Sequence, residues 1–178
     1  MTLQSEIDYL LEYTEWDRAQ WEAWFRANSG AFALGLGENS DGRIKNIGEL
    51  VRHIFSAEQR YVERIQELPI SDTSTVPPND VDALFAFGRR SRQSLRELLR
   101  DFPSDRWNEP RQVQFGPNKR AVVPRTMVVQ SVTHEIRHWA QIATLLRLAG
   151  YKSGLHDFLA SGIFERNLPR PNSAAVGA

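Results

Sequence analysis

The segment from Pro124 to Gly150 places the strongest constraint on the fold. Val128, Val132, Ile136, Trp139, Ala143 and Leu146 fall on one face of a helix. Met127, Ser131, His134, His138, Gln141 and Leu145 fall on another, where apolar and polar groups are mixed. A helix apolar on two sides is buried on two sides, so this segment belongs inside an assembly of several helices. Pro124 suits its first turn and Gly150 its C′ position.

Three further stretches carry helical periodicity. From Thr2 to about Asn28, Leu3, Ile7, Leu10, Leu11, Trp21 and Phe25 form a stripe, while Tyr9, Tyr13, Trp16 and Trp24 gather on a second face. Those aromatics pack either against a partner subunit or under a local loop. A Gly-rich loop over Ala31–Asn46 fits neither GxGxxG nor a P-loop and implies no phosphate site. The second helix, Ile47–Leu68, is stopped by Pro69. Its His53 lies roughly 120–130° from the centre of the apolar stripe, facing a groove, a neighbouring helix or solvent. Asn79 or Asp80 caps a third helix over Val81–Asp101, with Leu84, Phe85, Gly88, Leu95, Leu98 and Leu99 inward. Arg89, Arg90, Arg92, Arg96 and Arg100 read as its solvated face.

Between the third and fourth helices, Val113, Phe115 and Ala121–Val123 flank Gly116-Pro117-Asn118-Lys119, the pattern of a small β-hairpin. The expectation is an all-α protein, a four-helix bundle with a hairpin-like insert between helices 3 and 4. Residues 1–165 form a single domain and 166–178 a frayed tail.

Charge and cysteine content remove whole classes of function. Lys+Arg and Asp+Glu balance at 22 each, so nucleic acid is not expected as the main partner. No cysteine is present, which excludes a protein thiol nucleophile and Cys-ligated zinc. The acidic, amphipathic N-terminus lacks the pattern of a signal peptide, and no apolar run reaches the roughly 20 residues of a membrane span. A cytoplasmic protein without a membrane partner is expected.

His134 and His138, four residues apart on one helix face, can reach a single metal ion. Two schemes supply a third ligand. In the first, His134-Glu135-Ile136-Arg137-His138 spells H-E-x-x-H, with Glu135 as general base on a zinc-bound water and Glu165 or Asp157 as the downstream ligand. The longer metzincin pattern fails, since Gln141 and Thr144 stand where Gly and His are required. In the second, His53 converges on His134 and His138 from the second helix, leaving positions open for water or substrate.

The order of these features, a Trp-rich first helix, a His in the second, a hairpin-like insert and H-x-x-x-H-x-x-Q-I in the fourth, resembles the DinB-like (YfiT-like) metal-dependent four-helix bundles over about Leu3–Phe158. The resemblance implies that His53, His134 and His138 bind a divalent metal, zinc or nickel, and that two copies pair as a homodimer through helices 1 and 4. It also implies a metal-dependent enzyme of the thiol S-transferase type, acting on a small-molecule substrate with a low-molecular-weight thiol. The alternatives are a non-catalytic, stress-associated metal-binding dimer and a hydrolase with Glu135 as base. Glu135 departs from the family's common pattern, and the part played by His156 is open.

Overall fold

A computed structural model of the chain describes residues 3–37, 43–115, 117–163 and 165. Four long helices dominate: α1 (Leu3–Ala27), α2 (Ile47–Gln66), α3 (Val81–Asp101) and α4 (Pro124–Leu148). A two-stranded antiparallel hairpin, β1 (Arg111–Phe115) and β2 (Asn118–Val122), lies between α3 and α4. The all-α bundle with a hairpin insert expected from the periodicity is therefore the architecture found.

Local chemistry sets the ends of the helices. The Asn46 side chain accepts from the Glu49 N–H at 2.9 Å, and Glu49 reaches back to accept from the Lys45 N–H at 2.8 Å. Together they satisfy amide groups that the first turn leaves open. Asp80 caps α3 by accepting from the Ala83 N–H at 2.9 Å. At the end of α2, Glu67 takes a left-handed conformation (φ 58°), and the Leu68 N–H bonds back to the Glu63 carbonyl at 2.8 Å. Gly150 (φ 86°) closes α4 in the same way, with the Tyr151 N–H on the Leu146 carbonyl at 2.9 Å. In the hairpin Arg111 pairs with Val122 and Phe115 with Asn118, so Pro110 stands just outside the first strand and costs no ladder bond.

α2 packs against α3 and α4, and α1 packs against the same two helices, so α1 and α2 face each other across the diagonal of the bundle. The apolar interior falls into two clusters. One holds Trp21, Phe25, Phe32, Phe55, Phe85 and Trp139; the other holds Ile7, Leu11, Val62, Leu95, Val113 and Val132. Between them the four helices contribute a layer of buried charge: Arg18, Glu58, Arg92 and Glu135. The bundle is tight here. A Cβ on Gly88 would come within 2.9 Å of the Phe55 ring.

One expectation changes at this level, and one open alternative is decided in part. The arginine face of α3 is not uniformly solvated, because Arg92 is only 4% exposed and belongs to the charged layer. Across α1, the second aromatic face is covered by the segment that follows α4. The Tyr13 hydroxyl donates to the His156 carbonyl at 2.6 Å and Trp24 Nε1 to the Lys152 carbonyl at 2.8 Å. Of the two ways to bury those aromatics, a local loop does so for Tyr13 and Trp24. Among the described residues no helix is long and apolar enough to cross a membrane. The tail over 166–178 lies outside the described residues.

Candidate metal centre

The neighbouring helices α2 and α4 bring His53, His134 and His138 together. His134 Nε2 lies 3.1 Å from His53 Nε2 and 3.1 Å from His138 Nε2. One nitrogen from each ring lies within 4.8 Å of the others, the one such group of three metal-ligating side chains among the described residues.

Hydrogen bonding alone accounts poorly for three Nε2 atoms facing one another. If His134 carries its proton on Nε2, it can donate to one neighbour only. If it carries the proton on Nδ1, its one Nε2 lone pair faces two rings, and the Nδ1–H is buried with no partner among the described residues. A cation at the common focus removes the conflict, because all three lone pairs then point at it. The spacing suits that role. Imidazole nitrogens about 2.0–2.1 Å from a tetrahedral ion lie about 3.3–3.4 Å from each other.

Electrostatics keeps His134 and His138 neutral, as metal donors must be. Burial, then the proximity of His138 and His53, lowers the His134 pKa to about 3. Burial lowers that of His138, opposed by a hydrogen bond to Gln141 and assisted by the charge of Arg137. His138 Nδ1 lies 3.0 Å from Gln141 Oε1. That contact fixes the ring with its Nε2 lone pair toward the other histidines, the orienting part that an outer partner plays for a metal ligand.

The other candidates lie elsewhere. Asp157 is exposed, and its carboxylate accepts from the Leu159 N–H at 2.8 Å. Glu165 is exposed too, and neither joins the histidine group. His156 stacks on Trp21 at 3.9 Å between ring centroids, with Nδ1 2.6 Å from Asp17 Oδ1 and Nε2 against the Ser153 carbonyl. Both of its nitrogens face acceptors. Burial works against its proton, but the Asp17 hydrogen bond and charge raise its pKa overall. His156 ties the post-α4 segment to α1.

Glu135 turns into the charged layer. Its Oε1 accepts from Arg18 Nε at 2.6 Å and Trp139 Nε1 at 3.2 Å, and its Oε2 from Arg18 Nη2 at 2.7 Å and Arg92 Nη2 at 2.8 Å. A carboxylate has about four lone-pair positions, and four donors occupy them. Glu58 completes the layer, accepting from Arg18, Arg92 and the Ser91 hydroxyl. Burial opposes its charge, but Arg18 and Arg92 more than offset this and lower its pKa. The cluster holds two cations and two anions, one from each helix.

Reading the charged residues as surface groups missed this layer, although the sequence carries a signal for it. Each member stands seven residues from an apolar position on either side: Leu11, Arg18, Phe25; Val51, Glu58, Ile65; Phe85, Arg92, Leu99; Val128, Glu135, Ile142. A spacing of seven keeps a residue on the same helix face, so each charge sits within an apolar stripe.

No curated protein matches the chain. Residues 35–142, more than half of the chain, match the family described as the DinB superfamily. That span starts after α1 and includes all three clustered histidines and the whole of the hairpin. The chain belongs to the DinB superfamily.

Proposed function

We propose that His53, His134 and His138 hold a divalent metal, zinc or nickel, and that the protein is a metal-dependent enzyme of the thiol S-transferase type using a low-molecular-weight thiol. The observation that carries this reading is the convergence of three imidazoles on one point, with His134 Nε2 3.1 Å from the Nε2 of each of the other two. Three protein ligands leave coordination positions for water or substrate. When bound, such an ion supplies Lewis acidity and lowers the pKa of a thiol.

The chain's own residues do the rest. Gln141 orients His138, and the packing of α2 against α4 fixes His53 relative to the other two. The nucleophile comes from the thiol co-substrate, since the chain has no cysteine.

Hydrolysis with Glu135 as base fits less well. A general base needs a free lone pair near the reacting water, and the Glu135 oxygens are already occupied by Arg18, Arg92 and Trp139. A non-catalytic metal-binding dimer is the remaining alternative. Pairing through α1 and α4 would shield Leu148, which is 82% exposed at the end of α4, and sedimentation at graded concentrations checks it.

Metal analysis of protein purified without a histidine tag tests the centre, with His53→Ala expected to abolish the bound metal. A conjugation assay with an electrophile and a panel of small thiols tests the chemistry. Metal-loaded protein that stays silent across the panel sinks the transferase reading and leaves the binding protein.

A further inference from the structure

His53 also forms part of a second feature. A cavity of about 210 Å³ beside the triad is lined by Arg52, His53, Ser56 and Arg60 of α2, and by Asp72 and Thr73 of the α2–α3 connection. Arg52, Ser56 and Arg60 recur at four-residue intervals and so share one face.

Its polar groups are unevenly satisfied. Arg52 is fixed by two bonds from Nη1, to the Ser74 carbonyl at 3.2 Å and the Val76 carbonyl at 3.0 Å. Arg60 Nε, by contrast, is buried with no partner among the described residues. Two carboxylates adjoin the cavity, and the backbone already engages both. Asp72 accepts from the Ser74 N–H at 2.9 Å and Glu49 from the Lys45 N–H at 2.8 Å. Two guanidinium groups, those of Arg52 and Arg60, stand against them, and both act on Asp72. A divalent ion on the three imidazoles would add two positive charges alongside. The combined site is cationic, and it is smaller than the roughly 300–1,000 Å³ that houses a whole drug-sized ligand.

We propose that this cavity seats an oxyanion, a carboxylate or phosphate group, belonging to the small molecule whose reacting end lies at the histidines, with Arg60 as its main ion partner. The proposal rests on the reading of the triad as a small-molecule metal site and adds the chemical class that site selects. Arg52 shapes the seat, and the Ser56 hydroxyl, which donates to Thr73 Oγ1 at 2.8 Å, closes it with a polar wall.

Two titrations of the full-length protein test the proposal. In the first, metal-free protein is titrated with inorganic phosphate by calorimetry. Saturable binding is expected, weakened about tenfold or more by Arg60→Gln and largely kept by Arg60→Lys. Absence of saturable binding, or an unchanged affinity in Arg60→Gln, overturns the anion seat whatever happens at the triad. In the second, cobalt(II)-loaded protein is titrated with 3-mercaptopropionate and with its neutral amide, following thiolate-to-cobalt absorption. The acid should bind about tenfold more tightly or better, with the preference lost in Arg60→Gln and binding of the amide unchanged. Equal affinities in the wild-type protein overturn the proposal. Phosphate binding with no absorption change for either thiol upholds the seat and sinks the thiol-dependent reading instead.

Discussion

Two polar clusters meet on α4 at consecutive residues, and they are opposites. Glu135 enters a charged layer in which two carboxylates and two guanidinium groups satisfy one another almost completely, between two apolar clusters. His134 enters a group of three rings, its Nε2 facing the Nε2 of both other histidines, and its own Nδ1 has no partner among the described residues. Both are polar groups withdrawn from water, which costs free energy unless partners replace the water. The charged layer contains its partners. The histidine group is satisfied only in part: His138 meets Gln141 and Arg137, but His134 Nδ1 has no partner among the described residues, and that deficit supports the reading of the group as a binding site. The degree of internal satisfaction, more than burial or charge, separates a structural cluster from a binding one.

The largest expected effect falls on the saturated side. Glu135→Ala strands Arg18 and Arg92 in the interior and should cost about 3–5 kcal/mol of stability by urea unfolding; a loss under about 1 kcal/mol would break the contrast. His53→Ala should leave stability of the metal-free protein nearly unchanged while lowering metal affinity beyond the about 10–100-fold typical of an outer partner. Competition with a chelating indicator measures it, and retained affinity would remove His53 from the set. Gln141→Ala removes only the group that orients His138, so affinity should fall by about 10–100-fold without abolishing binding.

The last expectation concerns pH. The folded-state pKa of His134 is lowered from 6.5 to about 3, so the unfolded chain takes up this proton first. The metal-free protein should be most stable above pH 6.5 and lose stability as pH falls from there toward 3. His134→Ala should flatten the pH dependence of Tm over this window, and an unchanged slope would show that folding does not lower the His134 pKa.

Most of the architecture was legible because helices announce themselves locally. Asp80, Pro124 and Gly150 mark their ends by rules that need no tertiary contact. The approach of His53 to His134 and His138 was legible in part. The spacing of four on α4 was plain, and the position of His53 off its own stripe pointed to a neighbour, but the resemblance was needed to choose that neighbour. The charged layer is far less legible. Charged side chains default to solvent unless each finds its opposite, and those opposites lie 34 to 117 residues away on other helices. The covering of Tyr13 and Trp24 is not legible for the same reason, since backbone carbonyls at Lys152 and His156 supply the bonds and no side-chain pattern records them.

The adjacency of His134 and Glu135 also limits how this protein can be altered. Successive residues of a helix point about 100° apart, so α4 behaves as a keyed shaft, its rotation locked by three guanidinium donors from α1 and α3 on one carboxylate. An inserted or deleted residue between Pro124 and Glu135 would turn the lock or the histidines away from their seats. Length changes that preserve the centre are confined to the connections and the hairpin, and inside α4 the site can be tuned only by substitution in place. Anyone grafting the three histidines onto another bundle would have to carry the lock with them.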